Sequence, residues 1–295
     1  MKDRNRTVVV GVDGSAASTT AVSWAARLAS SRYLELEIVH GLQTAALGYG
    51  GGMAGADVLF DAVRQEGERV VAGSRKVAAS IDEALVITAK TPTESPAPLL
   101  IGLSRQARMV VVGASGSGGF AGMLLGSTAA TLVSHAHSPV AVIRGRNGTE
   151  HVPESGPVVV GIDGSPNSEQ AIAAAFEEAS TRRAPLVAVH AWSDVTYEDF
   201  YGTVRIMPQW ESVEEDEERL LAQRLAGWQE KHPDVEIRRV LRRDRPRHAL
   251  LDAAETAQLV VVGSRGRGGF AGMLLGSTSQ ALVQHAGCPV LVVRP

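Results

Sequence analysis

One cysteine, Cys288, is all that 295 residues carry. That excludes an intrachain disulfide and points to a reducing compartment. Long apolar runs are missing too. None approaches the ~18 residues of a membrane span, and the charged start, MKDRNRT, lacks a secretory core. A cytoplasmic location is the expectation, with no membrane partner. Asn147-Gly148-Thr149 matches a glycosylation sequon, which carries little meaning without an export signal. Net charge is small: 29 Lys and Arg against 32 Asp and Glu leave −3, so the overall balance draws the chain to neither nucleic acid nor anionic lipid.

What is present is repetition. The segment GASGSGGFAGMLLGST (113–128) returns as GSRGRGGFAGMLLGST (263–278), identical at 13 of 16 positions and displaced by 150. The same offset relates VVVGVDGS (8–15) to VVVGIDGS (158–165) and HSPVAVIR (137–144) to GCPVLVVR (287–294). One offset along the whole chain means a tandem domain duplication. The expected layout is a first domain over 1–144, a polar, Gly- and Pro-containing linker over 145–157, and a second domain over 158–295.

Each half alternates short β-branched runs with helical patterns. In the first half the runs are 7–12, 34–40, 85–89, 109–112 and 140–143; most are apolar on both faces, as buried parallel strands are. Ala171, Ile172, Ala175, Phe176 and Ala179 recur at helical spacing, as do Val213, Leu220, Leu221, Leu225 and Trp228. Ser15 and Ser165 are placed to cap the first helix of each half, with Pro166 in its first turn. Five strands alternating with four helices predict an α/β fold of two doubly wound parallel-sheet domains.

In such sheets ligands settle where the strand order reverses, beyond the carboxyl ends of the strands. The glycine segment leaves the fourth strand there and runs into a helix opened by Ser127-Thr128, or Ser277-Thr278. Glycines admit a ligand close to main-chain N–H groups, and a helix start favours an anion, so the segment reads as a phosphate cradle. Asp13 and Asp163 close the first strands. They are suited to a sugar hydroxyl, an amino group or a magnesium ion, or to an Asx turn capping the first helix. Both familiar nucleotide signatures are absent: there is no G-x-x-x-x-G-K-[ST], and the loop is not G-x-G-x-x-G. The spacing present is G-x2-G-x9-G-S, at Gly113, Gly116, Gly126 and Ser127, and at Gly263, Gly266, Gly276 and Ser277.

That spacing, the aspartate ending the first strand and the "PV-aliphatic" last strand resemble the universal stress protein family, in the tandem form common in mycobacteria and other actinobacteria. The resemblance spans nearly the whole chain. It implies an adenine-nucleotide-binding α/β sandwich, with ATP as the cofactor and magnesium expected with it. Gly113 and Gly263 would lie by the ribose. Gly116, Gly126, Ser127 and Thr128, with Gly266, Gly276, Ser277 and Thr278, would hold the phosphates. Asp13 and Asp163 would face the adenosine, and the backbone at Gly41 and Ala191, just past the second strand, would meet adenine. Gly11 and Gly161 complete the candidate set, with loop residues Ala114, Ser115, Ser117, Gly118 and Gly119 in the first half and Ser264, Arg265, Arg267, Gly268 and Gly269 in the second. Asp194 is an extra candidate in the second half only.

Several further features bear on function. Arg265 and Arg267 replace Ser115 and Ser117, which predicts tighter ATP binding by the second site. His40 and His190 end apolar strands and read as structural. EEDEE (214–218) reads as a solvated helix face. RRVLRRDRPR (238–247) holds six arginines, with surface ion pairing as the default and an acidic or nucleic-acid partner as the alternative. The loops at 41–56 and 191–209 are candidates for moving lids. The expected function is a nucleotide-dependent regulator with an unidentified protein partner. The last strands, VAVIR and VLVVR, are natural edges through which the two domains are expected to pair, and a further homodimer is expected. A slow ATPase or phosphotransferase, or a scaffold holding a structural nucleotide, is the alternative.

Overall fold

The computed structural model describes residues 6–42, 56–116, 124–146, 151–192, 210–266 and 274–294. It forms two compact units divided between Val152 and Pro153. In the first, β1 (Thr7–Gly11), α1 (Ala16–Ser31), β2 (Glu35–Val39), α2 (Ala56–Ile81), β3 (Ile87–Lys90), α3 (Pro96–Ser104), β4 (Met109–Gly113), α4 (Ser127–His135) and β5 (Val140–Ile143) follow in chain order. The strands are all parallel, in the order β3-β2-β1-β4-β5.

The second unit repeats the plan with β6 (Val158–Gly161), α5 (Pro166–Arg182), β7 (Leu186–Trp192), α6 (Trp210–Leu225), α7 (Trp228–Lys231), β8 (Ile237–Arg243), α8 (Pro246–Ala254), β9 (Leu259–Gly263), α9 (Ser277–His285) and β10 (Val290–Val293). Its parallel order is β8-β7-β6-β9-β10. The expected fold class is therefore what the chain adopts.

The reason is burial on both faces. β5 and β10 are buried at every position, and Met109–Val112 and Leu259–Val262 likewise, because α1 and α2 pack together on one face of the first sheet and α3 and α4 on the other. β3, with a neighbour on one side only, is half-buried at alternate residues. Ala171, Ile172, Ala175, Phe176 and Ala179 are the buried stripe of α5, as their spacing predicts. Ser15 and Ser165 each cap the following helix, accepting from the N–H of Ser18 at 3.1 Å and of Ser168 at 3.3 Å.

Three expectations are corrected. The third strand starts at Ile87 rather than Leu85, because the Leu85 N–H bonds back to the Asp82 carbonyl and Asp82 Oδ1 accepts from the Ala84 N–H, forming a turn. The helical spacing drawn through Trp228 is interrupted at Gly227, which takes φ +79°. Trp228 then opens the short α7, where its ring stacks on Phe176 at 5.9 Å. Ala191 lies inside β7 rather than past it: β8 runs for seven residues and carries the pairing to Trp192.

Candidate functional site

The strand order reverses between β1 and β4, which pair through Val8–Met109, Val9–Val110 and Val10–Val111. β6 and β9 pair in the same register. Asp13 leaves one lip of this reversal and the glycine segment the other, so the topology brings the two motifs together in each unit.

Asp13 Oδ1 accepts from the N–H of Ser15 at 3.0 Å and from its hydroxyl at 2.6 Å. Asp163 Oδ1 accepts from the Ser165 N–H at 2.9 Å. The Asx-turn reading is thus correct for one carboxylate oxygen. The other oxygen faces the glycine loop. A Cβ at Gly116 would lie 2.7 Å from Asp13 Oδ2, and one at Gly266 would lie 2.5 Å from Asp163 Oδ2. A side chain at either place would have to push the carboxylate aside.

The loop is closed at its neck. The Gly126 N–H donates to the Ala114 carbonyl at 2.7 Å, and the Gly276 N–H to the Ser264 carbonyl at 2.8 Å. Gly126 and Gly276 are the N-caps of α4 and α9, and neither helix start has a side-chain cap. Ser127 and Thr128, with Ser277 and Thr278, therefore present first-turn N–H groups and hydroxyls at the reversal. Ser127 and Ser277 are exposed.

Other candidate glycines have packing reasons. A Cβ at Gly113 would meet the Ala17 carbonyl carbon at 2.8 Å, and one at Gly263 would meet Asn167 at 3.1 Å, so the strand end abuts the first turn of α1 or α5. Gly11 and Gly161 make room for Leu100 and Leu250, at 2.7 and 2.9 Å. At Gly41 a Cβ would fall 2.7 Å from the Glu94 carbonyl. Ala191 directs its N–H and carbonyl away from β8, since the Leu186 N–H bonds to the Glu236 carbonyl and the ladder alternates from there. Ser115, Arg265 and Gly266 are exposed, and Ala114 and Ser264 buried. Ser117, Gly118, Gly119, Asp194, Arg267, Gly268 and Gly269 lie outside the described residues, as do most of both candidate lids.

The two halves brace this geometry differently. In the second, Asn167 Nδ2 donates to the Arg265 carbonyl at 3.2 Å and the Ser279 hydroxyl to the Gly263 carbonyl at 2.7 Å. Ala17 and Ala129 stand at the matching places in the first and have no side-chain donor. His40 and His190 are structural, as expected: their Nδ1 donates to the Val12 carbonyl at 2.8 Å and to the Ile162 carbonyl at 2.6 Å, just before each site aspartate.

Two features escape sequence reasoning. His190 Nε2 lies 2.7 Å from Glu217 Oε2, so one of the five EEDEE residues faces inward while Glu214, Glu215, Asp216 and Glu218 are exposed. Gly67 stands at that place in the first half, its position backed directly onto the His40 ring. The second feature is Arg144 and Arg294, just past the last strands. Arg144 donates to the Leu124 carbonyl at the loop's return. Burial holds both guanidiniums below their ordinary value, and for Arg294 the nearby Arg265 charge adds to that effect. Their recurrence at the 150-residue offset, as lone cations ending buried strands, was the available signal.

A parallel doubly wound sheet whose strand reversal sets an aspartate against a glycine loop defines a class of α/β sandwich domains. The comparison with known proteins narrows it. The model of the universal stress protein family matches residues 4–144 and again 155–294, so the chain belongs to that family in tandem form. A universal stress protein of Mycobacterium tuberculosis H37Rv is 44% identical over 303 residues, covering 98% of this chain and 95% of the relative. One from Mycolicibacterium smegmatis is 44% identical over 292 residues, covering 98% and 97%. The crystal structure of a universal stress protein from Archaeoglobus fulgidus shares the fold, with TM-score 0.67, 18% identity, and 98% and 96% of the two chains covered. Among the described residues no helix is long and apolar enough to cross a membrane.

Proposed function

We propose that the protein is an ATP-binding regulator with one nucleotide site per domain, acting in the cytoplasm through a nucleotide-dependent change in conformation or partner, and that it works as a homodimer. The observation that carries this reading is the twice-built contact in which a side chain in place of the glycine would have to push a carboxylate aside, beside a helix start without a side-chain cap. Asp13 and Asp163 would hold ribose hydroxyls, the backbone at Gly41 and Ala191 the adenine edge, and the loop amides with Ser127, Thr128, Ser277 and Thr278 the phosphates. Magnesium would be held by the site carboxylate, Asp13 or Asp163, together with substrate phosphates, as this ion commonly is.

The second site binds more tightly in this reading. Arg265 adds positive charge, and Asn167 and Ser279 fix the loop's entry before the ligand arrives, which lowers the ordering cost of binding. Denaturing the purified protein and identifying the released small molecule tests the ligand. Calorimetric titration of Gly116→Ala and Gly266→Ala with ATP tests the ranking: the Gly266→Ala protein keeps the weaker site, and the reverse order refutes the ranking. A slow ATPase is the second reading, favoured only if ADP accumulates over hours and Asp163→Ala abolishes it.

A further inference from the structure

The edge of the second sheet differs from its counterpart in the first in a way that nucleotide binding leaves unexplained. β8 occupies the end of its unit's strand order and pairs only with β7 among the described residues. Its sequence is IRRVLRR, continued by Asp244, Arg245, Pro246 and Arg247. Arg238, Arg239, Arg242, Arg243, Arg245 and Arg247 are all exposed. Two carboxylates belong to the same stretch. Glu236 pairs with Arg238 at 2.9 Å, and Asp244 Oδ1 accepts from the Arg245 N–H. Arg239, Arg242, Arg245 and Arg247 have no carboxylate partner among the described residues. In a chain of formal charge −3, this is a concentrated local excess of positive charge. The equivalent strand β3 reads ITAK, and its one cation, Lys90, is paired with Glu37 at 2.6 Å.

The backbone adds the second half of the argument. The Leu186 N–H bonds to the Glu236 carbonyl, which fixes the phase of the parallel ladder. Glu236, Arg238, Val240 and Arg242 face β7, and Ile237, Arg239, Leu241 and Arg243 turn their N–H and carbonyl groups to the open side. Seven residues give a template about 23 Å long. Side chains alternate across the sheet, so Arg239 and Arg243 lie on one face and Arg238 and Arg242 on the other. An extended segment laid along this edge would meet cations above and below it.

We infer that β8 is a docking edge for an extended, acidic peptide segment of a partner protein, which adds to the sheet as a further strand and neutralises the arginines. Open ladder groups supply affinity in such strand addition, and the flanking side chains supply selectivity. A second copy of β8 is excluded as occupant, because the pairing would set arginines against arginines. Single-stranded nucleic acid is disfavoured, because its binding relies on exposed aromatic platforms. Among the described residues, the ring beside this edge on β7, Trp192, is buried, and the Arg243 guanidinium covers it at 5.7 Å.

The test is fluorescence anisotropy on the full chain with a labelled decapeptide carrying two Glu-Glu pairs separated by Val-Thr. Two further ligands and two variant proteins complete it: the same peptide N-methylated at alternate amides, a ten-nucleotide oligothymidylate, the Arg239→Glu/Arg242→Glu protein, and Lys90→Gln as the opposite-edge control. Saturable binding is expected, weakened about tenfold or more by N-methylation and by the double charge reversal, with Lys90→Gln unchanged. Circular dichroism melting checks that the variant folds; if it does not, Arg239→Gln/Arg242→Gln replaces it. Four results overturn the inference: no binding of the acidic peptide, equal binding of the N-methylated peptide, tighter binding of the oligonucleotide, or affinity indifferent to removal of the arginine charges.

Discussion

Gly266→Ala separates the contact that defines the second site from the stability of the domain around it. The added Cβ would lie 2.5 Å from Asp163 Oδ2, where ordinary contact begins at 3.4 Å, so something must yield by 3.4 − 2.5 = 0.9 Å. The yielding group is the end of a half-buried side chain whose other oxygen is held by the Ser165 N–H at 2.9 Å. Swinging the carboxylate away strains or breaks one hydrogen bond to a charged group, which in a place water can reach costs about 1–2 kcal/mol. For a domain of this size that lowers the melting temperature by roughly 3–6 °C. If the site binds ATP as proposed, the effect on nucleotide is larger, because the methyl takes the place of the ligand beside the loop and the carboxylate leaves it. Loss of one charged hydrogen bond, about 1.5–3 kcal/mol, weakens ATP about ten- to a hundredfold. Calorimetry on the wild type, Gly266→Ala, Asp163→Ala and the double variant forms a closed cycle. If the methyl acts by displacing Asp163, the double variant binds no more weakly than Asp163→Ala alone. Additive losses, or full affinity in a folded Gly266→Ala protein, would refute the reasoning.

Three further predictions rest on other contacts. Glu178 is buried, 1% exposed, and accepts from Arg182 Nε at 3.0 Å; Glu178→Ala removes one charged hydrogen bond from a half-buried guanidinium that keeps Gln258 as a partner, and lowers second-domain stability by about 2 kcal/mol in urea unfolding. Gly156 has φ +113°, with a Cβ position 2.3 Å from the Thr256 carbonyl oxygen, so Gly156→Ala costs about 2–3 kcal/mol by the same assay while Gly73→Ala, in open space within α2, leaves stability unharmed. The Ser30 hydroxyl, and then the Ala84 N–H, hold the Asp82 carboxyl below its ordinary value. A depressed folded value contributes stability above the unfolded pKa that is lost as pH falls through the folded one. The stability gap between wild type and Ser30→Ala therefore closes on acidification, and a carbon-detected NMR titration finds the Asp82 midpoint higher in the variant.

Much of this was legible in the sequence because the repeat made it so. A 150-residue offset marks glycines, aspartates and helix caps twice, and buried parallel strands announce themselves as unbroken Val and Ile runs. What escaped was whatever depends on a distant partner. Glu217 sits in a run of acidic residues that looks uniformly solvated, and only the fold shows that this one reaches His190. Gly11 and Gly41 are glycines for reasons set by α3, which packs Leu100 and Pro96 against them. Ala191 was placed past its strand because the length of β7 is decided by β8, some fifty residues on.

Part of the divergence between the halves falls beside the paired aspartate and glycine rather than on them. Within the loop, Gly116 and Gly266 meet their aspartates in the same way, and Gly126 and Gly276 close the same neck. Around these glycines, Ala17 becomes Asn167, Ala129 becomes Ser279, Ser115 becomes Arg265 and Gly67 becomes Glu217. Each change adds a polar group to the second unit, and for three of them the bond it makes is visible: Asn167 to the loop carbonyl, Ser279 to the strand end, Glu217 to the histidine that holds Ile162. A site fixed by such bonds before its ligand arrives loses less freedom on binding than one fixed by packing alone. Two copies of one cradle, held with different stiffness, would respond to different concentrations of the same ligand, which gives a duplicated domain a reason to keep both.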